Sequence, residues 1–240
     1  MLKDSQDAFG HMVYDCLTGK DAHEIIERDD GLVEVTRSSY FSEFKNWLSH
    51  EKRAMRYVRG RVLDIGSGAG RHSLYLQEKG HEVLGIDNSP LALEVCRLRG
   101  LKNTKLLPIT EINSRLGIFD TVLMMGNNFG LFGDFDKARR LLKRLNKITS
   151  ERGRIIAETI DVYQTEVPEH LSYHERNRRG GRMAGQIRLR VRYRTYATPW
   201  FDYLMVSKEE MADILDSTYW KIARFIDSDG PMYVAILDKR

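Results

Sequence analysis

The sequence predicts an α/β fold in which helices cover a doubly wound, mostly parallel sheet of seven strands. Three observations predict it. An apolar run at residues 62–65 leads directly into a glycine-rich turn and then a helix. From there to residue 159, five strand patterns alternate with helical ones, which favours parallel strands joined by right-handed crossovers. Two more strand patterns, at residues 220–226 and 232–237, end the chain.

Composition limits the class of protein. The chain has 240 residues, 42% of them hydrophobic, which suits one large domain. Its two cysteines, Cys16 and Cys96, lack the Cys-x-x-Cys spacing, which argues against a disulfide framework or a metal site and for a reducing compartment. No signal-peptide core begins the sequence and no apolar run is long enough to span a bilayer, so we expect a cytoplasmic protein without a membrane partner.

The glycine-rich turn points to an adenosine-containing ligand. It has the pattern Asp64-x-Gly66-x-Gly68-x-Gly70, and the next strand, residues 81–86, ends in Asp87. An acid about 20 residues beyond such glycines is placed to accept hydrogen bonds from ribose hydroxyls. A nicotinamide dinucleotide site would require glycine at position 71, which is Arg71, so an NAD-dependent oxidoreductase is disfavoured.

These two motifs resemble those of the class I S-adenosylmethionine-dependent methyltransferases: residues 62–70 are similar to the family's first motif and residues 83–90 to its second. The alternative is a generic strand–glycine–helix corner. The resemblance implies S-adenosyl-L-methionine as cofactor and no metal. The cofactor-binding residues that it implies are Asp64, Gly66, Ser67, Gly68, Gly70, Asp87, Asn88, Gly126 and Asn127.

The resemblance to the family implies that the segment before the first core strand, residues 1–57, caps the cofactor site. Helical spacing predicts helices over 3–17 and from 40 to about 57, and two β-rich runs around Asp30-Gly31 predict a hairpin. An aromatic face attracts a sulfonium cation, so Tyr40 and Trp47 are candidates beside the bound ligand. The alternative is that these rings only pack on the core.

Between residues 58 and 160 the strand–helix alternation is regular. Ser89 and Pro90 predict the start of a helix that ends at Gly100. The third strand, 103–109, is followed by Glu111, an imperfect match to the acid that the family places there. The fourth strand, 117–125, ends in Asn127 and Asn128, polar residues that could line the ligand site or form a left-handed turn. A helix over 134–147 and a fifth strand over 153–159 follow.

Residues 161–206 interrupt this pattern and are expected to be an insertion, which the resemblance to the family implies carries substrate recognition. Residues 160–206 do not fit one helix: 161–181 are polar and rich in charge, whereas 186–194 alternate strictly and pair with 200–206 as a predicted antiparallel hairpin. Candidate bases here are His170, Tyr173 and His174, although each is expected to be an ordinary loop or surface residue.

Eight arginines and no acid lie between residues 176 and 194. They indicate a solvent-facing strand paired to acids elsewhere, a site for an anionic small molecule, or a nucleic-acid surface. Tyr40, Asn128, Arg192 and Tyr193 are the candidate substrate residues.

The sequence therefore predicts one methyltransferase domain, with a cap at 1–57, a core at 58–160 and 207–240, and an inserted region at 161–206. Its expected activity is in-line methyl transfer to a small-molecule acceptor. The alternatives are an RNA or protein methyltransferase, with nucleic acid disfavoured by the modest net charge of +4, and a protein that binds S-adenosylmethionine or a nucleotide without turnover. An oligomer is possible.

Overall fold

The structure, a computed structural model, describes residues 2–36 and 39–240. The α-helices are α1 (Ala8–Leu17), α2 (Ser49–Met55), α3 (Arg71–Glu78), α4 (Pro90–Leu98), α5 (Phe135–Lys147), α6 (Pro168–Arg179) and α7 (Lys208–Leu215). The strands are β1 (Glu24–Arg28), β2 (Val33–Thr36), β3 (Val62–Ile65), β4 (Val83–Asp87), β5 (Thr104–Leu106), β6 (Phe119–Met124), β7 (Thr149–Ile160), β8 (Gln186–Tyr193), β9 (Tyr196–Ala197), β10 (Phe201–Leu204), β11 (Trp220–Asp227) and β12 (Met232–Lys239).

Seven strands form the predicted sheet, in the order β11-β12-β7-β6-β3-β4-β5. The β3–β4, β4–β5 and β6–β7 pairs are parallel, whereas β12 is antiparallel to both β7 and β11. All four residues of β3 are buried, as expected for a strand that is covered on both faces. The doubly wound, mostly parallel fold class is confirmed.

A second sheet has the order β10-β8-β1-β2, and β9 pairs with β8. It contains both predicted hairpins, the one around Asp30-Gly31 and the one in the insertion. The sequence did not predict that β1 and β8 would pair. They run antiparallel, with Ile26 opposite Val191 and Glu27 opposite Arg190. The insertion is thereby joined to the N-terminal segment by backbone hydrogen bonds.

The chain divides into two compact units. The first comprises Met1–Trp47, Val62–Glu111 and Arg188–Phe201, and the second comprises Leu48–Arg61, Ile112–Ile187 and Asp202–Arg240. The subdivision of one domain into cap, core and insertion stays a prediction.

Helix capping follows the sequence closely. The Ser89 hydroxyl accepts a hydrogen bond from the Ala92 N–H, and Pro90 opens α4. Asp134 caps α5, and Ser207 forms a capping box with Glu210 at the start of α7.

One predicted helix was wrong. Residues 40–57 are not one helix, because Trp47 is extended (φ −70°, ψ 155°) and α2 begins only at Ser49. The helical spacing of aromatics arises instead from a folded-back segment, in which the buried Trp47 indole N–H donates to the Ser42 carbonyl at 2.9 Å.

Residues 161–181, described from the sequence only as polar and rich in charge, contain α6. Its residues are so polar that the helical periodicity of its buried positions is hard to see in the sequence. Pro168, in its first turn, is nevertheless a helix-start signal.

Among the described residues, no helix has both the length and the apolar character needed to cross a membrane. No group of three or more His, Cys, Asp or Glu side chains in residues 2–36 and 39–240 is arranged to hold a metal ion.

Candidate functional site

The glycine corner joins β3 to α3. Gly66, Gly68 and Gly70 have φ values of 72°, 55° and 80°, which side chains with a Cβ rarely adopt, so the spacing of the glycines follows from the backbone path. The N–H groups of Gly66 and Ser67 both donate to the Ile86 carbonyl, at 2.9 and 3.1 Å. The corner is thus attached to the end of the neighbouring strand β4.

Asp64 lies beneath the corner, where it is 3% exposed. Its Oδ2 accepts a hydrogen bond of 2.6 Å from the Ser73 hydroxyl in α3. Burial raises the pKa of Asp64, while the His72 imidazole and the Ser73 hydroxyl oppose that rise. The described contact of Asp64 is with the helix that follows the corner, and its contact with a cofactor stays a prediction.

Asp87 joins the corner to the start of α4. Its Oδ2 accepts the Gly68 N–H at 3.0 Å and its Oδ1 accepts the Ser89 N–H at 2.9 Å. The side chain remains half-buried, and the adjacent Asn88 is exposed. Burial raises the pKa of Asp87 to about 6, although the N–H groups of Ser89 and Gly68 oppose the shift. A carboxylate has about four acceptor positions, so two N–H donors leave it able to accept more.

The N-terminal helix α1 packs against the same corner. A methyl group on Gly68 would lie 3.4 Å from Cζ of Phe9, and the Phe9 ring meets Tyr40 edge to face, with centroids 5.0 Å apart. The Tyr40 hydroxyl donates to the buried Glu24 carboxylate at 2.8 Å. Phe9 was not among the predicted site residues, and its place beside Gly68 adds an aromatic group to the site.

Asp7 fixes α1 beside α4. Its carboxylate accepts the Gly10 N–H in its own helix and the Leu91 N–H at the start of α4, each at 3.0 Å. One buried acid therefore satisfies free N–H groups at two helix starts. The sequence signal was an Asp just before an apolar helical run, but the second helix could not be foreseen.

Trp47 does not reach the corner as a free aromatic face. It is 4% exposed and contacts His72 and Tyr75 edge to face, and the Arg71 guanidinium lies over its ring. The interpretation that it packs on the core accounts for these contacts.

The turn after β6 is the second candidate region. Gly126 and Asn127 have φ values of 72° and 64°, and Asn128 begins a short 3-10 helix, Asn128–Phe132. The left-handed turn weighed as the alternative therefore forms, with Asn127 as its left-handed residue. The Asn127 Oδ1 atom is buried and has no hydrogen-bond partner in the part of the chain that the structure describes.

Glu158 holds this turn from the neighbouring strand. Its Oε2 accepts the Gly126 and Asn127 N–H groups, at 2.6 and 3.2 Å, and its Oε1 lies 2.7 Å from Nε2 of His50. Both Glu158 and His50 are 1% exposed. Neither was predicted as a site residue, although an acid inside an apolar strand is a useful signal, since such groups are rarely buried without partners.

The candidate bases of the insertion lie on α6. Tyr173 and His174 are buried, so the expectation that each is a loop or surface residue was wrong for both. The Arg176 guanidinium lies over the Tyr173 ring. His170 is half-buried, with Nδ1 3.2 Å from the Thr165 hydroxyl.

The candidate substrate residues Arg192 and Tyr193 have protein partners. Arg190 and Arg192 both bind Glu27 at 3.0 Å, and these guanidiniums hold the pKa of Glu27 below its usual range although burial opposes ionisation. The Tyr193 hydroxyl donates to Asp15 at 2.8 Å in the interior of the first unit. Burial, with that hydrogen bond, raises the pKa of Tyr193 to about 12.

The first unit fits an adenosyl cofactor. Asp87 offers a carboxylate with unused acceptor positions, and Gly66, Gly68 and Gly70 of the adjacent corner have no Cβ that would keep a ligand from the backbone. Phe9 supplies an aromatic ring next to Gly68. In the second unit, the unpartnered Asn127 oxygen fits an N–H or O–H donor of a ligand. That Gly126 and Asn127 bind the same molecule as Asp87 stays a prediction.

Comparisons with known proteins agree with this interpretation. Residues 62–153 match a family model described as a methyltransferase domain. The fold is similar over its full length to the crystal structure of an S-adenosylmethionine-dependent methyltransferase from Bacteroides fragilis in complex with S-adenosyl-L-homocysteine. That match has 25% identity and a TM-score of 0.85, and it covers 100% of this chain and 97% of the other.

Curated relatives match over shorter spans. A tRNA (uracil(54)-C(5))-methyltransferase from Pyrococcus horikoshii is 28% identical over 133 residues, which cover 51% of this chain and 30% of the relative. A glycine/sarcosine N-methyltransferase from Parasynechococcus marenigrum is 31% identical over 104 residues, which cover 40% of this chain and 36% of the relative. The chain thus spans about a third of the length of these relatives.

Proposed function

Because the chain belongs to the class I S-adenosylmethionine-dependent methyltransferases, we propose that it transfers the methyl group of S-adenosylmethionine to a small-molecule acceptor. The observation that carries the cofactor assignment is the half-buried Asp87 carboxylate, which is held against the Gly68 N–H at the end of β4. Its position is the one from which an acid binds ribose hydroxyls in this fold.

When bound, S-adenosylmethionine supplies an activated methyl group on a positively charged sulfur, so the protein has to provide alignment and a dry environment. Asp87 binds the ribose, and its two N–H donors keep the carboxylate in one orientation. The Gly66–Gly70 corner allows close approach of the ligand. Phe9 and Tyr40 cover the corner and exclude water from it.

A general base is needed only when the acceptor atom carries a proton of high pKa. Tyr173 and His174 lie in the interior of their unit, which disfavours both of them as bases for a bound acceptor. His170 is the more accessible of the three candidates. We propose an acceptor whose nucleophilic atom is already deprotonated or is sufficiently acidic to lose its proton to water.

The pairing of the arginines supports a small acceptor over nucleic acid. Six of the eight arginines between residues 176 and 194 contact an acid of the same chain: Arg178, Arg179, Arg182, Arg190, Arg192 and Arg194. These six arginines share four acids, so their charge is partly offset, and partly offset guanidiniums attract a phosphate backbone less strongly than free ones. The tRNA methyltransferase among the relatives keeps RNA as the alternative acceptor.

Titration calorimetry tests the cofactor assignment. Purified protein is titrated with S-adenosylmethionine, S-adenosylhomocysteine and NAD, and the measurement is repeated with Asp87→Ala and with the matched control Asp136→Ala, an exposed acid in α5. We expect micromolar binding of the first two ligands, weakened by roughly tenfold to a hundredfold in Asp87→Ala, since a hydrogen bond to a charged group contributes about 1.5–3 kcal/mol. Binding of NAD alone, or of none of the three, would refute the proposal.

The acceptor class is tested with S-adenosylmethionine that is labelled on its methyl group. The protein is incubated with a panel of small amines, phenols and carboxylates that includes glycine and sarcosine, and separately with bulk tRNA. Label in the small-molecule fraction supports the proposal, whereas label in tRNA favours the RNA alternative. Tight cofactor binding without transfer to any member of a broad panel favours a binding protein.

A further inference from the structure

A buried acid in the second unit joins three segments of the chain. Glu158 in β7 accepts the Gly126 and Asn127 N–H groups with one oxygen, at 2.6 and 3.2 Å, and contacts Nε2 of His50 in α2 with the other, at 2.7 Å. The side chains of His50 and Glu158 are 2% and 1% exposed. The proposed reaction does not use either group, and nothing in the local sequence requires them to meet.

The chemistry of this network explains why it is stable. A buried carboxylate is tolerated when its lone pairs are occupied by donors, and two backbone N–H groups together with the imidazole provide three. An ionised Glu158 requires a proton on Nε2 of His50, because a lone pair there would face a negative oxygen. His50 therefore fixes the plane of the carboxylate, and the carboxylate selects the tautomer of His50.

The turn that Glu158 holds would be difficult to maintain without it. Asn127 has a left-handed backbone with φ 64°, a region that residues other than glycine enter at a cost. Glu158 binds the N–H side of the turn, and the Tyr203 hydroxyl donates to the Asn127 carbonyl at 2.6 Å on the other side. The Asn127 side chain is thereby fixed with a buried Oδ1 atom that has no protein donor among the described residues.

We propose that Glu158, supported by His50, is a positioning residue that keeps the Gly126–Asn127 turn in the conformation that binds the cofactor. The Asn127 Oδ1 atom then accepts an N–H or O–H of that ligand. This inference rests on the proposed function. Glu158 itself does not touch the ligand, because both of its oxygens are occupied by protein donors.

Two substitutions at Glu158 separate positioning from simple packing. Glu158→Ala leaves both N–H groups without an acceptor. Glu158→Gln keeps one oxygen for them and offers an amide N–H to Nε2 of His50, which accepts it once the imidazole proton moves to Nδ1. We expect S-adenosylhomocysteine to bind roughly tenfold or more weakly to Glu158→Ala, equivalent to about 1.4 kcal/mol, and within about threefold of wild type to Glu158→Gln. His50→Gln should fall between the two.

A matched control is Asp120→Asn in the same unit. Asp120 is also a hydrogen-bonded acid in a strand, β6, where it accepts from the Arg61 N–H and the Ser150 hydroxyl, and neither partner belongs to the turn. We expect Asp120→Asn to lower the melting temperature without changing the affinity for S-adenosylhomocysteine. Equal affinity of wild type and a folded Glu158→Ala would overturn the inference.

Amide resonances provide a measurement that does not depend on the folding of Glu158→Ala. In wild-type protein we expect the Gly126 and Asn127 amide protons to lie downfield, because both donate to a carboxylate, and to shift when S-adenosylhomocysteine is added. In His50→Gln both should move upfield before ligand is added. If the wild type binds the ligand while these two resonances stay unmoved, the positioning role is refuted and the proposed function stands. If the wild type does not bind S-adenosylhomocysteine at all, both the positioning role and the proposed function are refuted.

Discussion

The glycine corner at residues 64–70 and the turn at Gly126–Asn127 are similar in backbone conformation, but they differ in the sequence separation of the contacts that hold them. Each follows a buried strand and uses left-handed residues. The corner is held by partners nearby in sequence: Ser73 is 9 residues from Asp64, and Asp87 is 19 residues from Gly68. Long-range contacts hold the turn, since Tyr203 lies 76 residues from Asn127 and His50 lies 108 residues from Glu158. A short-range motif can be recognised in a sequence, whereas a turn held by distant residues cannot.

The largest effect that we expect concerns the long-range packing of the turn. A methyl group on Gly130 would come within 2.1 Å of Cε1 of Tyr203, the ring that binds Asn127. Gly130→Ala should therefore destabilise the protein by about 3 kcal/mol or more, at the upper end of overpacking changes, and chemical denaturation measures this. Gly180→Ala is the control, because its nearest contact is an ordinary 3.4 Å. Equal stability of the two variants would show that the turn is not packed as described.

The next effect tests whether the corner is held locally. Ser73→Ala removes the 2.6 Å hydrogen bond to the buried Asp64 carboxylate. We expect a loss of roughly 1.5–3 kcal/mol of folding free energy, since a bond to a charged group is removed. Ser172→Ala, at an exposed site in α6, is the matched control and should be neutral. An unchanged folding free energy in Ser73→Ala would mean that another group stabilises the buried Asp64 carboxylate.

A smaller effect concerns the pH dependence of ligand binding at the glycine corner. The pKa of Asp87 is raised to about 6, so its carboxylate is protonated below that pH and no longer accepts freely from ribose hydroxyls. Between pH 7.5 and 5 we expect S-adenosylhomocysteine affinity to fall roughly tenfold, as one protonation with that pKa requires.

The contribution of Asp87 to folding has the opposite sign. Its ionised form is disfavoured in the folded protein, so this contribution to stability is present at low pH and is lost as the pH rises from 3.8 through about 6. In Asp87→Asn the fall in S-adenosylhomocysteine affinity between pH 7.5 and 5 should be absent. An unchanged profile in that variant would assign the pH dependence to another group.

The smallest effect concerns the arginine-rich strand β8. Arg192 shares Glu27 with Arg190 and is 43% exposed. Since exposed ion pairs contribute little, Arg192→Ala should leave both the melting temperature and the affinity for S-adenosylhomocysteine close to wild type. Once an acceptor is known, a rise in its KM at an unchanged melting temperature would restore Arg192 as a substrate residue.

Much of the fold followed from local patterns. The alternation of strands and helices, the caps at Ser89 and Ser207, and the hairpin around Asp30-Gly31 depend on neighbouring residues, and each of these predictions was confirmed. Helix α6 was not predicted, because its many charged residues obscure the spacing of the three buried ones, Tyr173, His174 and Asn177. The aromatic spacing at 40–48 led to the wrong prediction of a helix, because aromatic residues of a non-helical segment can pack with the same spacing as those of a helix.

The candidate site was foreseeable only in part. The glycines and Asp87 could be identified because backbone geometry allows few residue types there. Phe9, Asp7, His50 and Glu158 could not, because each acts through a partner that lies far away in the sequence or that is found only after the chain has folded.

The sequence by itself determined the sheet, the glycine corner and the acid that ends β4, since periodicity and φ restrictions act over a few residues. Only the tertiary structure decided that β1 pairs with β8, that Arg190 and Arg192 of β8 pair with Glu27, and that His50 meets Glu158 behind the turn. Burial is the physical reason. A charge or a polar group that leaves water must find a partner, and which partner is within reach depends on how distant segments pack.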